Sequence, residues 1–319
     1  MSEPTKVAVI DIGSNSIKLL VARRGTNCGR VKPAHESALN ARISAGINRA
    51  EPRLSEEGMA VGLGAIETLL VEAAPHQPQA IQLVATSAVR DALNRDEFIS
   101  RVQQATGHTL RTLTGTEEAN FIGRGLLSDP ALVNAQDYYV FDLGGGSLEC
   151  LCFQQRSVTK AISLPLGCVR LTERFVANRE APLAPDEIAA LHHHVAATLQ
   201  ASGFAFHLPP HAPAIGTGGT LVSCRAILAA RQGVPFASSS PRLAVESLAK
   251  LAREVGAMPL NARRELPGLP SARADVFPVA VQTVLALMGA GGFAALQHSF
   301  YNLRYGIADE LLKLCANRG

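Results

Sequence analysis

Short apolar runs that end in glycine and hydroxyl residues set the pattern of this chain. Val7 to Ile10 is apolar without a break, and Asp11-Ile12-Gly13-Ser14-Asn15-Ser16-Ile17-Lys18 follows it. Tyr138 to Phe141 is a second such run, followed by Asp142-Leu143-Gly144-Gly145-Gly146-Ser147-Leu148-Glu149. Aligned, Asp11 falls on Asp142, Gly13 on Gly144, Ser16 on Ser147 and Lys18 on Glu149. Each segment reads as a buried strand, a tight turn and a second strand. Two copies imply two related domains.

The pattern between the copies alternates strand and helix. Residues 6–23 read as a hairpin and 30–45 as further strand. A helix runs from about Leu54 to Ala73, with Ser55 as its N-cap. Gln79 to Ala85 reads as strand and leads into Thr86-Ser87-Ala88-Val89-Arg90. Asp96 to Thr106 is helical, His108 to Leu113 is a short strand, and Thr114-Gly115-Thr116-Glu117-Glu118-Ala119 opens another helix. In the second half, strands cover 138–153 and 157–164, and Leu166-Gly167-Cys168-Val169-Arg170 turns into a helix. Asp186 to Ala201 is helical, and Ala214-Ile215 enters a third turn, Gly216-Thr217-Gly218-Gly219-Thr220, before a helix to Ala230. After the loop from Gly233 to Pro241, helices are expected to dominate to the end, joined by a connector from Leu269 to Asp275. The class is therefore α/β, with domains at 1–124 and 125–319 and a last helix able to pack back on the first.

Composition narrows the partners. The chain has 319 residues, 47% hydrophobic and only 18% charged, enough for two cores. A net charge of +3 is too mild to require nucleic acid. No apolar run reads as long enough to span a bilayer, since Ala274 to Ala295 is broken by Pro278, Gln282 and glycines. No leader precedes the first strand, so a cytoplasmic location is expected. The six cysteines, Cys28, Cys150, Cys152, Cys168, Cys224 and Cys315, form no C-x-x-C pair and read as reduced thiols, mostly buried.

Glycine–hydroxyl turns present backbone amides to anions. The segments Gly13-Ser14-Asn15-Ser16, Gly144-Gly145-Gly146-Ser147 and Gly218-Gly219-Thr220 are thus candidate phosphate cradles, the last at a helix N-terminus. Asp142 and Glu149 lie across a hairpin turn, and such oxygen ligands suit Mg²⁺ or Mn²⁺ bridging protein and phosphate, with Asp11 contributing through water. Thr114 and Glu117 have capping-box spacing, which leaves Glu118 free either to act as a base or simply to complement the helix dipole in a first turn. Arg90, after the polar Thr86-Ser87, could grip phosphate oxygens or form a surface ion pair. His192-His193-His194 point about 100° apart on a helix and cannot converge on one metal.

Taken in order, Asp-Ile-Gly-Ser-Asn-Ser at 11–16, Thr-Ser-Ala-Val-Arg at 86–90, Gly-Thr-Glu-Glu-Ala at 115–119 and Asp-Leu-Gly-Gly-Gly-Ser-Leu-Glu at 142–149 resemble the exopolyphosphatase / guanosine pentaphosphate phosphatase family. Leu166 to Arg170 and Gly218 to Thr220 continue the likeness, which covers nearly the whole chain and is weakest from 230 onward. Tyr305 stands where that family usually has an acidic residue, and Ala280 where it has glycine. The resemblance implies the actin-like ATPase fold, two ribonuclease-H-like domains around a cleft, and hydrolysis of a terminal phosphoanhydride. It implies Glu118 as the base, Asp142 and Glu149 as metal ligands, and Arg90 as a phosphate contact. Inorganic polyphosphate is the expected substrate, with guanosine pentaphosphate or tetraphosphate as the rival. A non-catalytic polyphosphate or alarmone sensor and a kinase are further alternatives, and a homodimer is compatible with the sequence.

Overall fold

The computed structural model describes residues 5–25, 30–45, 47, 51–209 and 211–317. Cys28 lies outside them. The chain divides into two compact units: Met1–Asn134 with Tyr301–Gly319, and Ala135–Phe300.

The first unit is built on β1 (Lys6–Ile12), β2 (Ser16–Arg24), β3 (Val31–Asn40), α1 (Glu56–Ala73), β4 (Ala80–Ala85), α2 (Ser87–Asp91), α3 (Arg95–Thr106), β5 (Leu110–Thr112) and α4 (Gly115–Leu126). Its strands lie in the order β3-β2-β1-β4-β5. β1 pairs antiparallel with β2 and parallel with β4. Every residue of β1 beyond Lys6 is buried, as a central strand covered on both faces requires.

Ser55 caps α1 by accepting the amide of Gly58, as its position in the sequence predicts. One face of α1, including Met59, Ile66 and Leu69, is buried, and the helix packs against β2 and α3. Continued through His76, this segment is long and apolar enough to cross a membrane by length and composition alone, contrary to the expectation that no run qualifies. Its leucines, valines, isoleucine and alanines raise the mean hydropathy, while its packing makes it a core helix of this unit.

The second unit contains β6 (Tyr138–Leu143), β7 (Leu148–Gln154), β8 (Ser157–Leu164), α5 (Cys168–Phe175), α6 (Pro185–Ala201), β9 (Ala214–Thr217), α7 (Gly219–Arg231), β10 (Arg242–Ala244), α8 (Val245–Gly256), α9 (Leu260–Arg264), α10 (Phe277–Gly291) and β11 (Ala295–His298). Read from the β8 edge, the order is β8-β7-β6-β9-β11-β10. Its first five strands repeat the order and directions of the first unit, and β10 adds an antiparallel edge. The two glycine hairpins therefore hold equivalent places in two copies of one sheet.

Helices dominate after residue 241, as expected, but two short strands that the sequence did not show, β10 and β11, lie among them. The chain then returns to the first unit as α11 (Leu303–Ala316), which packs on α4 and β1. The first unit also extends to Asn134, where the sequence placed a boundary at 124, because α4 continues to Leu126 and a short 3-10 turn at Pro130–Leu132 follows it.

Candidate active site

Each hairpin turn is closed in the same way. Gly13 donates its amide to Ser16 O at 3.2 Å, and Gly144 donates to Ser147 O at 3.0 Å. The remaining turn carbonyls are tied back into the protein. In the first unit Ser44 donates its amide (3.3 Å) and its hydroxyl (2.9 Å) to Ser14 O, and the Arg42 amide reaches Asn15 O at 3.1 Å. In the second unit the amides of Cys168 and Val169, at the start of α5, reach Gly144 O at 3.0 Å and Gly145 O at 2.8 Å. Arg170 Nε donates to Gly146 O at 2.9 Å. With its carbonyls engaged, such a turn keeps its amides for an anion. Among the described residues, no backbone carbonyl takes the amides of Gly145, Gly146 or Ser147.

The first unit assembles its predicted residues around the 13–16 turn. Ser14 Oγ lies 3.0 Å from Ser87 Oγ, and Thr86 donates its amide to Ile12 O at 3.2 Å. This seats the segment carrying Arg90 against the turn. Arg90 Nη1 donates to Glu118 Oε2 at 2.7 Å and to Leu113 O at 3.2 Å. Glu118 is buried in the first turn of α4. Its neighbour Glu117 closes the capping box, accepting the Thr114 amide at 2.8 Å. The Thr114 amide bond, the Arg111 guanidinium and the Thr114 hydroxyl pull the Glu117 carboxyl down to about 2. The two adjacent glutamates thus have separate partners, one structural and one facing the turn's own neighbour, Arg90.

Asp11 stands directly opposite Lys18 in the β1–β2 register. Burial raises the Asp11 carboxyl, and the charges of Lys18 and Arg304 oppose that rise. Its Oδ1 is buried without a hydrogen-bond partner among the described residues, and so is Asn15 Nδ2.

The second unit carries a different pair at the equivalent register. Asp142 stands opposite Glu149 across β6–β7, so both carboxylates leave the sheet on one face. Glu149 is buried and accepts the Ser163 hydroxyl at 2.7 Å. Gly218, with φ 94°, closes on this pair: a Cβ there would lie 2.7 Å from Asp142 Oδ1. Only glycine combines that left-handed backbone with that approach. Next to it, the hydroxyls of Thr217 and Thr220 are buried without partners among the described residues.

Two carboxylates on one face are the hard oxygen donors Mg²⁺ prefers when it keeps water and phosphate oxygens in its remaining positions. No cluster of three metal-ligating side chains occurs among the described residues, so water and phosphate oxygens would have to complete the shell. The pair fits that ion, whereas Asp11, opposed by a lysine, is the weaker donor. The three histidines diverge: His192 meets Gln282 at 2.8 Å, and His194 packs on Phe175.

A model of the Ppx/GppA phosphatase family matches residues 7–314. The chain belongs to the Ppx/GppA phosphatase family. Among solved structures it is similar to an exopolyphosphatase from Cytophaga hutchinsonii, at 22% identity and a TM-score of 0.86, with 97% of this chain and 98% of that one covered. It is also similar to a Ppx/GppA family protein from Aquifex aeolicus, at 23% identity and a TM-score of 0.76, with 99% of each chain covered. These likenesses show that the fold, α/β with a duplicated strand order, is that of the solved Ppx/GppA structures.

In this Ppx/GppA phosphatase, one residue beside the third turn escaped the sequence reading. A Cβ on Gly219 would collide with the Arg273 guanidinium, so that side chain lies against the N-terminus of α7. The Arg273 Nε is buried without a partner among the described residues. Arg273 sits on the aperiodic connector before α10, where no hydrophobic pattern indicates which way a side chain points.

Proposed function

We propose that the chain is an exopolyphosphatase, releasing orthophosphate from the end of inorganic polyphosphate. The observation that carries this reading is the contrast between two otherwise equivalent turns. One has a buried base paired with an arginine, Glu118 with Arg90, and the other has two facing carboxylates, Asp142 with Glu149. In-line transfer of a phosphoryl group to water needs both a base and a counter-charge.

Glu118 accepts the proton of the attacking water. Arg90 exchanges its carboxylate partner for the more highly charged phosphate terminus, leaving Glu118 able to bind water. The amides of residues 13–16, 144–147 and 218–220 stabilise charge on the phosphoryl oxygens. Asp142 and Glu149 would hold a divalent cation, Mg²⁺ or Mn²⁺, which would supply positive charge against the transferred group. Cys150, Cys152 and Cys224 are buried and in no disulfide among the described residues, which fits a reducing cytoplasm.

The test is phosphate release from polyphosphates of several lengths and from guanosine pentaphosphate, with each metal. Glu118→Gln is expected to lose at least about two decades of turnover with substrate affinity retained. Near-wild-type turnover by that variant removes Glu118 from the role of base. Faster release from guanosine pentaphosphate moves the assignment to the nucleotide, whose 5′-triphosphate end presents the same bond.

A further inference from the structure

Arg42 follows the end of β3 with φ 42°, in the left-handed region that side-chain-bearing residues rarely occupy. From that backbone both its amide and its guanidinium reach the same residue. The amide donates to Asn15 O at 3.1 Å, and Nε donates to Asn15 Oδ1 at 3.2 Å. A guanidinium only donates, so the Asn15 side chain is fixed with its oxygen toward Arg42 and its nitrogen turned away. That nitrogen is buried, in a residue 5% exposed, and meets no acceptor among the described residues. An amide group held by one end, with its other end a buried unused donor, is aimed at something the protein does not supply.

The second unit offers an internal comparison. There Arg170 Nε braces the third residue of the turn at Gly146 O, but that residue has no side chain to orient. An arginine brace is common to both turns. Only the first couples it to a side-chain donor.

We propose that Arg42 is a positioning residue that aims the Asn15 side-chain amide at a phosphate oxygen of the bound substrate. This rests on reading the 13–16 turn as a phosphate cradle. A merely structural arginine and a positioning one predict opposite responses to glycine. Arg42→Gly keeps the backbone amide and relieves the left-handed backbone, but deletes the guanidinium.

The expected result is a KM for polyphosphate raised about tenfold, with kcat changed by less than about threefold and the melting temperature held or raised. Arg42→Lys should fall between wild type and Arg42→Gly. The Arg42→Gly/Asn15→Ala double variant should be no worse than Asn15→Ala alone, because the two residues act as one unit. Independently of turnover, adding tripolyphosphate should shift the Asn15 side-chain amide resonances in the wild type and not in Arg42→Gly. A wild-type KM in Arg42→Gly, additive losses in the double variant, or an unaltered resonance shift in Arg42→Gly would each overturn the assignment. A resonance shift without phosphate release from any polyphosphate would instead sink the exopolyphosphatase reading and leave this one standing.

Discussion

His298, at the end of β11, shows what burial does to a single titratable group. Arg225 Nη1 lies 3.4 Å from its Nδ1, and because arginine only donates, Nδ1 accepts and Nε2 carries the proton. Burial, then the charge of Arg225, pushes the imidazole down to about 4. Protonation would place a second cation beside one already held between Phe236 and Phe300. The unfolded chain binds this proton near pH 6.5 and the folded one does not until about 4. Stability is therefore expected to fall by about 3 kcal/mol as the pH drops through that window, and to level off below it. Urea titrations of wild type and His298→Asn should diverge there, and parallel curves would contradict the shift. At this scale the sequence is readable where chemistry follows spacing. Thr114 and Glu117 announce a capping box at three residues, and that box separates the role of Glu117 from that of Glu118. It is unreadable where a side chain is aimed by residues far along the chain. The Arg273 guanidinium at Gly219 and the left-handed backbone of Arg42 both arise that way.

Among elements, α5 does more for the second turn than its eight residues suggest. Its first amides hold Gly144 O and Gly145 O, and Gly167 lets it abut the turn directly. A Cβ on Gly167 would overlap the Gly146 and Ser147 backbone. Because backbone cannot rotate aside as a side chain can, Gly167→Ala must displace either the helix or the turn. The expected result is a stability loss of about 1–3 kcal/mol. Activity should suffer more than this suggests, with kcat/KM for polyphosphate down at least about tenfold, because misplacing a binding group by a fraction of an ångström is enough. Comparing kcat/KM with the urea midpoint checks this, and a stable variant with wild-type kcat/KM would show that the turn does not need its helix. The long hairpins and helices were legible because their apolar pattern repeats over enough residues to show a period. β10 and β11 were not, since three and four residues show hardly one alternation and Arg242-Leu243-Ala244 has no local partner. Their pairing with each other, across α8, α9 and α10, and that of β11 with β9 are what make them strands.

At the scale of the whole molecule, each unit has its own apolar core, one spanning β1, β2, α1 and α3, the other β6, β7, α6 and α10. The sequence showed the duplication through its aligned hairpins, but the membership of the last segment depends on contacts no local pattern contains. Residues from Tyr301 onward belong with the first unit, and charge holds them there. Asp309 on α11 receives Arg24 Nη1 at 2.6 Å, Arg124 Nε at 2.7 Å and Lys313 Nζ at 2.9 Å. Burial alone would raise this carboxyl, yet Lys313, Arg124 and Arg24 together outweigh it and hold it below the ordinary value. Arg124 lies on the helix that carries Glu118, so the network fastens α11 to the element bearing the proposed base. Asp309→Asn keeps the shape and removes the charge, which should weaken the first unit by on the order of 2 kcal/mol, the value of hydrogen bonds to a charged group. Hydrogen exchange separates the units. Amides of β1, β2 and α4 that exchange by opening of the first unit should speed up roughly thirtyfold, while those of β6 and β7 keep their wild-type rates. The carboxyl is depressed in the folded state, so its contribution is present above the unfolded value near 3.8 and fades as the pH falls below it. The difference between variant and wild type should therefore shrink in acid, and equal acceleration in both units would show that α11 does not belong to one of them alone.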